Sequence, residues 1–365
     1  MIERHQETLT IDTVLDRLID IHEFDDMAIL RFVNKAFASP RPLKIENIQN
    51  RRLIVADYRK QLEKLRELPV IEQRTLEWYE LRKNLITASD FAQALGEGKF
   101  GTQKQFFQKK CGFEKDVFNY NTPPLKWGTM YEPVAGDIYC RRNNVELFEF
   151  GILKHPTIDF IGASPDGITS NGIMLEIKCP FKRKITGEIP TQYYYQIQGQ
   201  LEVCELEECD YLECEFTETM DVEDFQAFEN EKGVIIEYAT DGTTPPQYTY
   251  SPIWSGVNTD MDSVDEWITT NMNTTQTNIV LHYWKLTTLN VVRVYKDDAF
   301  VQEKIDMLKD VWDKVLQYQN DKDLYLKEVG SSSVSRGNSL TIDLGMKGGR
   351  QVTPKISGYS FIGDE

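Results

Sequence analysis

Residues 162–181 read GASPDGITSNGIMLEIKCPF, two short apolar runs joined by a polar turn and carrying Asp166, Glu176 and Lys178. In an extended run from Ile173 to Cys179 the side chains alternate. Ile173, Leu175, Ile177 and Cys179 then point to one face, and Met174, Glu176 and Lys178 to the other. Read alone, this is a strand with one buried and one wet face, and Pro165-Asp166-Gly167 is an ordinary turn tripeptide. Ser170-Asn171-Gly172 is a hairpin signal that follows the apolar pair Phe160-Ile161. The length of its turn decides the chemistry. A three-residue loop or a bulge centred on Asn171 sets Asp166 opposite Glu176 on one face, with Cβ atoms about 5 Å apart. A two-residue turn sends them to opposite faces. If they converge, two carboxylates beside an ammonium make a hard-oxygen cation site with a proton-handling group at its edge.

The rest of the chain narrows the class. With 365 residues, 41% of them apolar, it can bury a substantial core in one elaborated domain or two smaller ones. No apolar run approaches the roughly 18 residues of a membrane span, and MIERHQETLT is not a signal peptide, so an intracellular, cytoplasmic protein is expected. The cysteines at 111, 140, 179, 204, 209 and 214 form no CxxC pair. The step of five from Cys204 to Cys209 to Cys214 aligns them on neither a helix nor a strand, which argues against a zinc or iron–sulfur site. The histidines at 5, 22, 155 and 282 are scattered. A net charge of −17 speaks against a generic nucleic-acid coat, but not against a nuclease with a basic interior. The acids of residues 205–231 read as a solvated face, whereas KCPFKRK places Lys178, Lys182, Arg183 and Lys184 together where they would hold phosphates.

Periodicity predicts helices in the first 75 or so residues, interrupted by Pro40, Pro42 and Pro69. TLEWYELRKNLITASDFAQAL reads as a helix, a short connector and a further helix capped by Thr87 or Ser89. LKWGTMYEPVAGDIYCRRN reads as a helix with Pro133 in its first turns. TQYYYQIQGQLEVC is predicted as a helix with Tyr194, Ile197 and Leu201 on one face, followed by a strand at CDYLECEF. Residues 222–277 are polar and look like an insertion. NIVLHYWKL and NVVRVY read as a second hairpin around Thr287-Thr288, and AFVQEKIDMLKDVWDKVLQY as a closing helix. The expected organisation is a helical extension at 1–71, a main domain at 72–327 and a flexible tail at 328–365, whose end, ISGYSFIGDE, is apolar enough to bind a partner.

WYELRKNLITASDF, KWGTMYEPVA, ASPDG, LEIKCPF and YYYQIQGQL, in this order, resemble the phage lambda exonuclease family, also called YqaJ-type viral recombinases, within the PD-(D/E)XK nuclease superfamily. The combination with LHYWKL is similar to the versions carried by large DNA viruses. The resemblance implies an α/β (α+β) restriction-endonuclease-like core, a mixed central sheet flanked by helices, here with extra N-terminal helices. It implies catalytic roles for Glu132, Asp166, Glu176 and Lys178. One or two Mg²⁺ or Mn²⁺ ions would be held by Glu132, Asp166, Glu176 and the Ile177 carbonyl. Arg82, Ser89, Ser164 and Gln196 match positions that bind a 5′-terminal phosphate, and Lys182 and Gln198 are further candidate DNA contacts.

The implied activity is metal-dependent 5′→3′ exonucleolytic hydrolysis of double-stranded DNA ends, leaving 3′ overhangs for recombination, replication or repair. The implied partners are DNA ends, a single-strand annealing protein and copies of the chain itself, since a ring of three subunits is common in the family. Two other readings stand beside it: an alkaline-type nuclease with endonucleolytic or RNase action, and a non-catalytic DNA-end scaffold.

Overall fold

The computed structural model describes residues 11–19, 24–37, 43–69, 71, 75–113, 119–257 and 259–329. The N-terminal helices are α1 (Ile11–Leu18), α2 (Asp26–Phe37) and α3 (Ile45–Arg66). They bury Val14, Leu15, Ile29, Val33, Ile48 and Val55 against one another. After α4 (Leu76–Lys83) comes a two-residue strand, β1 (Ile86–Thr87), a 3-10 turn at Ala88–Asp90, and the short α5 (Phe91–Ala94). The anticipated second helix is therefore only a stub. Ile86 and Thr87 are drawn instead into parallel pairing with Ile161 and Gly162, and Thr87 caps nothing with its side chain.

Next come α6 (Gln103–Lys110), α7 (Pro123–Asn143), β2 (Leu147–Phe148), β3 (Leu153–Lys154), β4 (Ile161–Ala163), β5 (Gly167–Thr169) and β6 (Met174–Lys178). Pro123 and Pro124 start α7, which leaves Pro133 in mid-helix rather than in the first turns. Its exposed position makes the missing backbone donor tolerable. The hairpin joining β5 to β6 has a three-residue loop: Thr169 N–H donates to Ile173 O at 2.8 Å, and Gly172 N–H to Thr169 O at 2.7 Å. Gly172 has φ +73°, and a Cβ there would lie 2.6 Å from the Tyr58 backbone of α3, so only glycine closes this turn.

The remaining elements are α8 (Thr191–Cys204), β7 (Glu208–Glu218), α9 (Val222–Ala227), β8 (Lys232–Tyr238), β9 (Gln247–Tyr250), α10 (Met261–Asn271), β10 (Ile279–Tyr295), α11 (Asp298–Asn320) and α12 (Lys322–Glu328). The main sheet is seven-stranded, in the order β2-β5-β6-β7-β10-β8-β9, with β6 and β7 parallel and the other pairs antiparallel. A smaller sheet has the order β1-β4-β3. This mixed sheet flanked by helices is the expected architecture.

One expectation for the second half is corrected. NIVLHYWKLTTLNVVRVY is one continuous strand, β10, and not a hairpin: Thr287-Thr288 lacks the glycine or asparagine a tight turn requires, and the register shift there is a bulge. The 222–277 segment, polar in composition, carries α9, β8, β9 and α10. All seven residues of β8 are buried between β10 and β9. Residues 330–365, on which the tail expectation falls, lie outside the described residues.

One face of β6 packs with α8 and α11, through Met174, Ile197, Leu201 and Leu308, and the other with α7, through Leu175, Ile177, Val134 and Ile138. With both faces covered, the half-wet amphipathic reading of this strand does not apply. A buried ionic network fastens the N-terminal helices to the sheet. Arg51 lies 2.7 Å from Asp16 and 2.5 Å from Glu208, and Arg293 lies 3.1 Å from Asp16 and 2.5 Å from Asp210.

Candidate active site

The three-residue loop fixes the register Gly167↔Leu175 and Ile168↔Met174, which continued by one step sets Asp166 opposite Glu176. Asp166 Oδ2 accepts the Ile177 N–H at 2.7 Å. Because the N–H and C=O of one strand residue point to the same side, the Ile177 carbonyl is directed to this edge as well. Glu176 is fully buried. Its Oε1 lies 2.6 Å from Lys178 Nζ and accepts from Gln196 Nε2 at 2.6 Å, and its Oε2 accepts from Gln200 Nε2 at 2.8 Å. Lys178 also stands over the Tyr193 ring, 4.9 Å from its centroid.

Glu132 arrives from α7. Gly136, one turn further on, faces Ile177 and Leu147, where a Cβ would sit 3.6 and 3.5 Å from their side chains. The same helix face therefore turns Glu132 toward the Asp166 edge. Its charge is felt there: burial, then Glu176, then Glu132 push the Asp166 carboxyl well above its usual range, with Lys178 opposing. Burial alone would lower Lys178, but Glu176 and Asp166 outweigh it and hold the ammonium firmly protonated.

This donor set is all oxygen and carries an excess of negative charge in a buried place, which suits a hard divalent cation. Gln200 Oε1, a buried acceptor with no hydrogen-bond donor beside Glu176, is of the kind a metal-bound water satisfies. As they stand, no three His, Cys, Asp or Glu side chains among the described residues are grouped closely enough to hold an ion. The oxygens of Glu176 are turned to Lys178 and the two glutamines instead.

Three of the four residues matched to phosphate binding, Arg82, Ser89 and Ser164, are held through contacts around Trp78. Arg82 donates to Ser89 Oγ at 3.2 Å, and its guanidinium stacks 4.5 Å from the Trp78 ring centroid. Trp78 Nε1 donates to Ser164 Oγ at 3.3 Å. Gln200 reaches the Ser164 carbonyl at 3.4 Å as well as Glu176, which joins this group to the acids. Close packing keeps the two halves in contact: a Cβ on Gly199 of α8 would meet Phe91 at 2.6 Å and Ala88 at 3.0 Å. Gln196, counted in the sequence among the phosphate contacts, donates to Glu176.

Lys182 is exposed beside Phe181, on the same loop as Arg183, which pairs with buried Glu213 at 2.6 Å. Gln198 is buried, donating to Tyr295 O at 2.9 Å and accepting from Asp297 N–H at 2.8 Å, so its amide ties α8 to the end of β10 and does not face solvent. Sequence reasoning missed Gln200 and Trp78. The helical spacing of Gln196 with Gln200, and of Trp78 with Arg82, was the available signal for both.

Residues 77–207 match the model of the YqaJ-like viral recombinase domain, a span that contains each of the candidate residues above. The chain is similar to uncharacterized protein R354 of Acanthamoeba polyphaga mimivirus, with 30% identity over 316 residues, covering 72% of this chain and 56% of that protein. It is also similar to a protein of African swine fever virus (strain Badajoz 1971 Vero-adapted), with 26% identity over 164 residues, covering 36% of this chain and 46% of that protein. The chain thus spans about half the length of the curated relatives it matches. Among solved structures, an alkaline exonuclease from Laribacter hongkongensis aligns at 18% identity and a TM-score of 0.43, covering 70% of this chain and 100% of that one. A phage-related exonuclease from Haemophilus somnus aligns at 14% identity and a TM-score of 0.38, covering 68% and 99%. Among the described residues no helix is long and apolar enough to cross a membrane.

Proposed function

We propose that this protein is a metal-dependent nuclease that digests double-stranded DNA from its ends in the 5′→3′ direction, leaving 3′ single-stranded overhangs for recombination or repair. The observation that carries the reading is the register of the β5–β6 hairpin, which faces Asp166 with Glu176 and sets Lys178 within 2.6 Å of Glu176. The family match supports it.

Asp166, Glu176, Glu132 and the Ile177 carbonyl would hold one or two Mg²⁺ or Mn²⁺ ions. A divalent cation there supplies a water of lowered pKa and polarises the scissile phosphate. The chain does the rest. Gln196 and Gln200 orient Glu176, and the Ile177 N–H orients Asp166. Lys178, held protonated by its acids, stabilises charge growing on the phosphate oxygens. Arg82, Ser89 and Ser164 offer a guanidinium and two hydroxyls to a terminal 5′-phosphate, a pocket that favours ends over internal sites. Lys182 extends the contact along the backbone. The partners in this reading are duplex DNA ends, a single-strand annealing protein and further copies of the chain.

The experiment is digestion, with Mg²⁺, of 5′-phosphorylated linear, 5′-hydroxyl linear and closed circular duplexes by the wild type and by Asp166→Ala and Glu176→Ala. Fast cutting of the first substrate alone, abolished in both variants while DNA binding persists, is expected. Equal cutting of circles would replace the reading with an endonuclease, and undiminished activity in either variant would end it.

A further inference from the structure

Lys110 is a long cationic side chain with almost no solvent exposure, 2% at the side chain, and it has no place in the chemistry above. It projects from the end of α6 into the gap behind Arg82 and Ser89. There its ammonium lies 2.8 Å from Asp90 Oδ2 and donates to the carbonyls of Arg82 at 2.8 Å and Leu85 at 2.6 Å. An ammonium has three N–H donors, and all three are engaged, so Lys110 does not itself reach a ligand.

The partners form one chain of contacts. Asp90 Oδ2 also accepts from Thr87 Oγ1 at 2.9 Å. Since that hydroxyl's single hydrogen is committed, Thr87 must accept from Ser89 Oγ, 3.2 Å away, and Ser89 in turn accepts from Arg82. Lys110 is therefore bonded to the backbone that carries Arg82 and, through Asp90 and Thr87, to the hydroxyl of Ser89. Its own element is anchored elsewhere: Gln319 of α11 donates to the Lys110 carbonyl at 3.0 Å. A buried ion pair of this kind adds little to stability compared with an apolar pair of equal volume, and its best attested use is to fix one arrangement.

Resting on the proposed end-binding function, we infer that Lys110 is a positioning residue. It holds the Arg82 backbone and the Thr87–Ser89 turn at the separation that makes a pocket for a DNA 5′-phosphate. Burial opposes the Asp90 charge, but Lys110, then Lys109 and Arg82, outweigh it and hold the carboxyl well below its usual range, so Asp90 stays a charged partner for Lys110.

The test compares KM and kcat on 5′-phosphorylated and 5′-hydroxyl duplex ends. In parallel, fluorescence anisotropy with EDTA present measures binding of the same two duplexes. The variants are Lys110→Met and the double variant Lys110→Met/Asp90→Asn. The double variant leaves no unpaired buried charge, and the amide oxygen of the new asparagine can still accept from Thr87, so it serves where the single variant fails to fold. The expected result is that the preference for phosphorylated ends, read as the ratio of KM values and of dissociation constants, falls at least about tenfold toward one, the size of a charge-assisted contact to phosphate. An undiminished ratio in the folded double variant, or an equal loss on both kinds of end, overturns the role of Lys110 alone. A wild type that shows no preference overturns the end pocket and the lysine's role together.

Discussion

Gln200 holds Glu176 Oε2 at 2.8 Å from one helical turn beyond Gln196, which holds Oε1 at 2.6 Å, so two amides of α8 fix both oxygens of one buried carboxylate. Gln200→Leu preserves the volume and removes one of these donors. Losing a hydrogen bond to a buried charge is expected to cost about 1–3 kcal/mol of stability. On the proposed function it should also lower the rate of DNA digestion by an order of magnitude or more, because Glu176 can then turn away from the orientation the two amides give it. Denaturation with urea and the rate on phosphorylated duplex ends measure the two effects.

Asp166→Asn should separate stability from activity. Asp166 is buried among Glu176 and Glu132, and its charged form is opposed by burial and by both neighbours. Asparagine can still accept the Ile177 N–H but carries no charge. With a chelator present, the melting temperature of the variant is expected to exceed that of the wild type, on the order of 2 °C or more, while activity with Mg²⁺ is lost. A variant that melts below the wild type would show that the cluster is not a point of electrostatic strain.

The His282 imidazole bridges Glu218 at 3.0 Å and Glu237 at 2.8 Å. Burial alone would lower its pKa, but the two glutamates outweigh that and lift it to about 9, from an ordinary 6.5. Because the folded state binds this proton more tightly than the unfolded chain, the stabilisation is complete below about pH 6.5 and disappears as the pH rises through about 9. The difference in melting temperature between wild type and His282→Gln should follow that course between pH 6 and pH 10. A pH-independent difference would contradict the shift.

Arg293→Met would leave Asp210, Glu208 and Asp16 with Arg51 as the remaining guanidinium of the network. Removing one partner of a buried ionic cluster typically costs about 3–5 kcal/mol, and that loss is expected in equilibrium denaturation. An N-terminal helical unit that merely rests on the sheet would give a much smaller change.

The legible parts were those governed by short-range spacing. The Asp166–Glu176 register follows from the glycine-closed loop, and the helix from Thr191 to Cys204 and the long helix ending at Asn320 follow from apolar periodicity. What the sequence hid was set by distant contacts. Thr287-Thr288 looks like a break between two β-rich runs, yet β-branched residues suit a bulged strand, and the partner strands on either side keep it extended. The polar composition of 222–277 as a whole masked β8, although Val234-Ile235-Ile236 is a β-branched run of the kind a buried strand carries. Lys110 and Asp90 are twenty residues apart, and no local pattern marks them as a pair.

The continuous strand β10 pairs along Trp284–Tyr295 with β7, the neighbour of the acid-bearing β6, and along Ile279–Lys285 with β8. Trimming 222–277 to obtain a minimal unit would strip Ile279–Lys285 of β8, the ladder partner of its whole length, and expose a mostly apolar template for pairing with other molecules. Within this segment, which lies outside the family match, β8 covers that stretch of β10. A shortened version of the chain would need a charged or proline-bearing replacement edge, not a simple deletion.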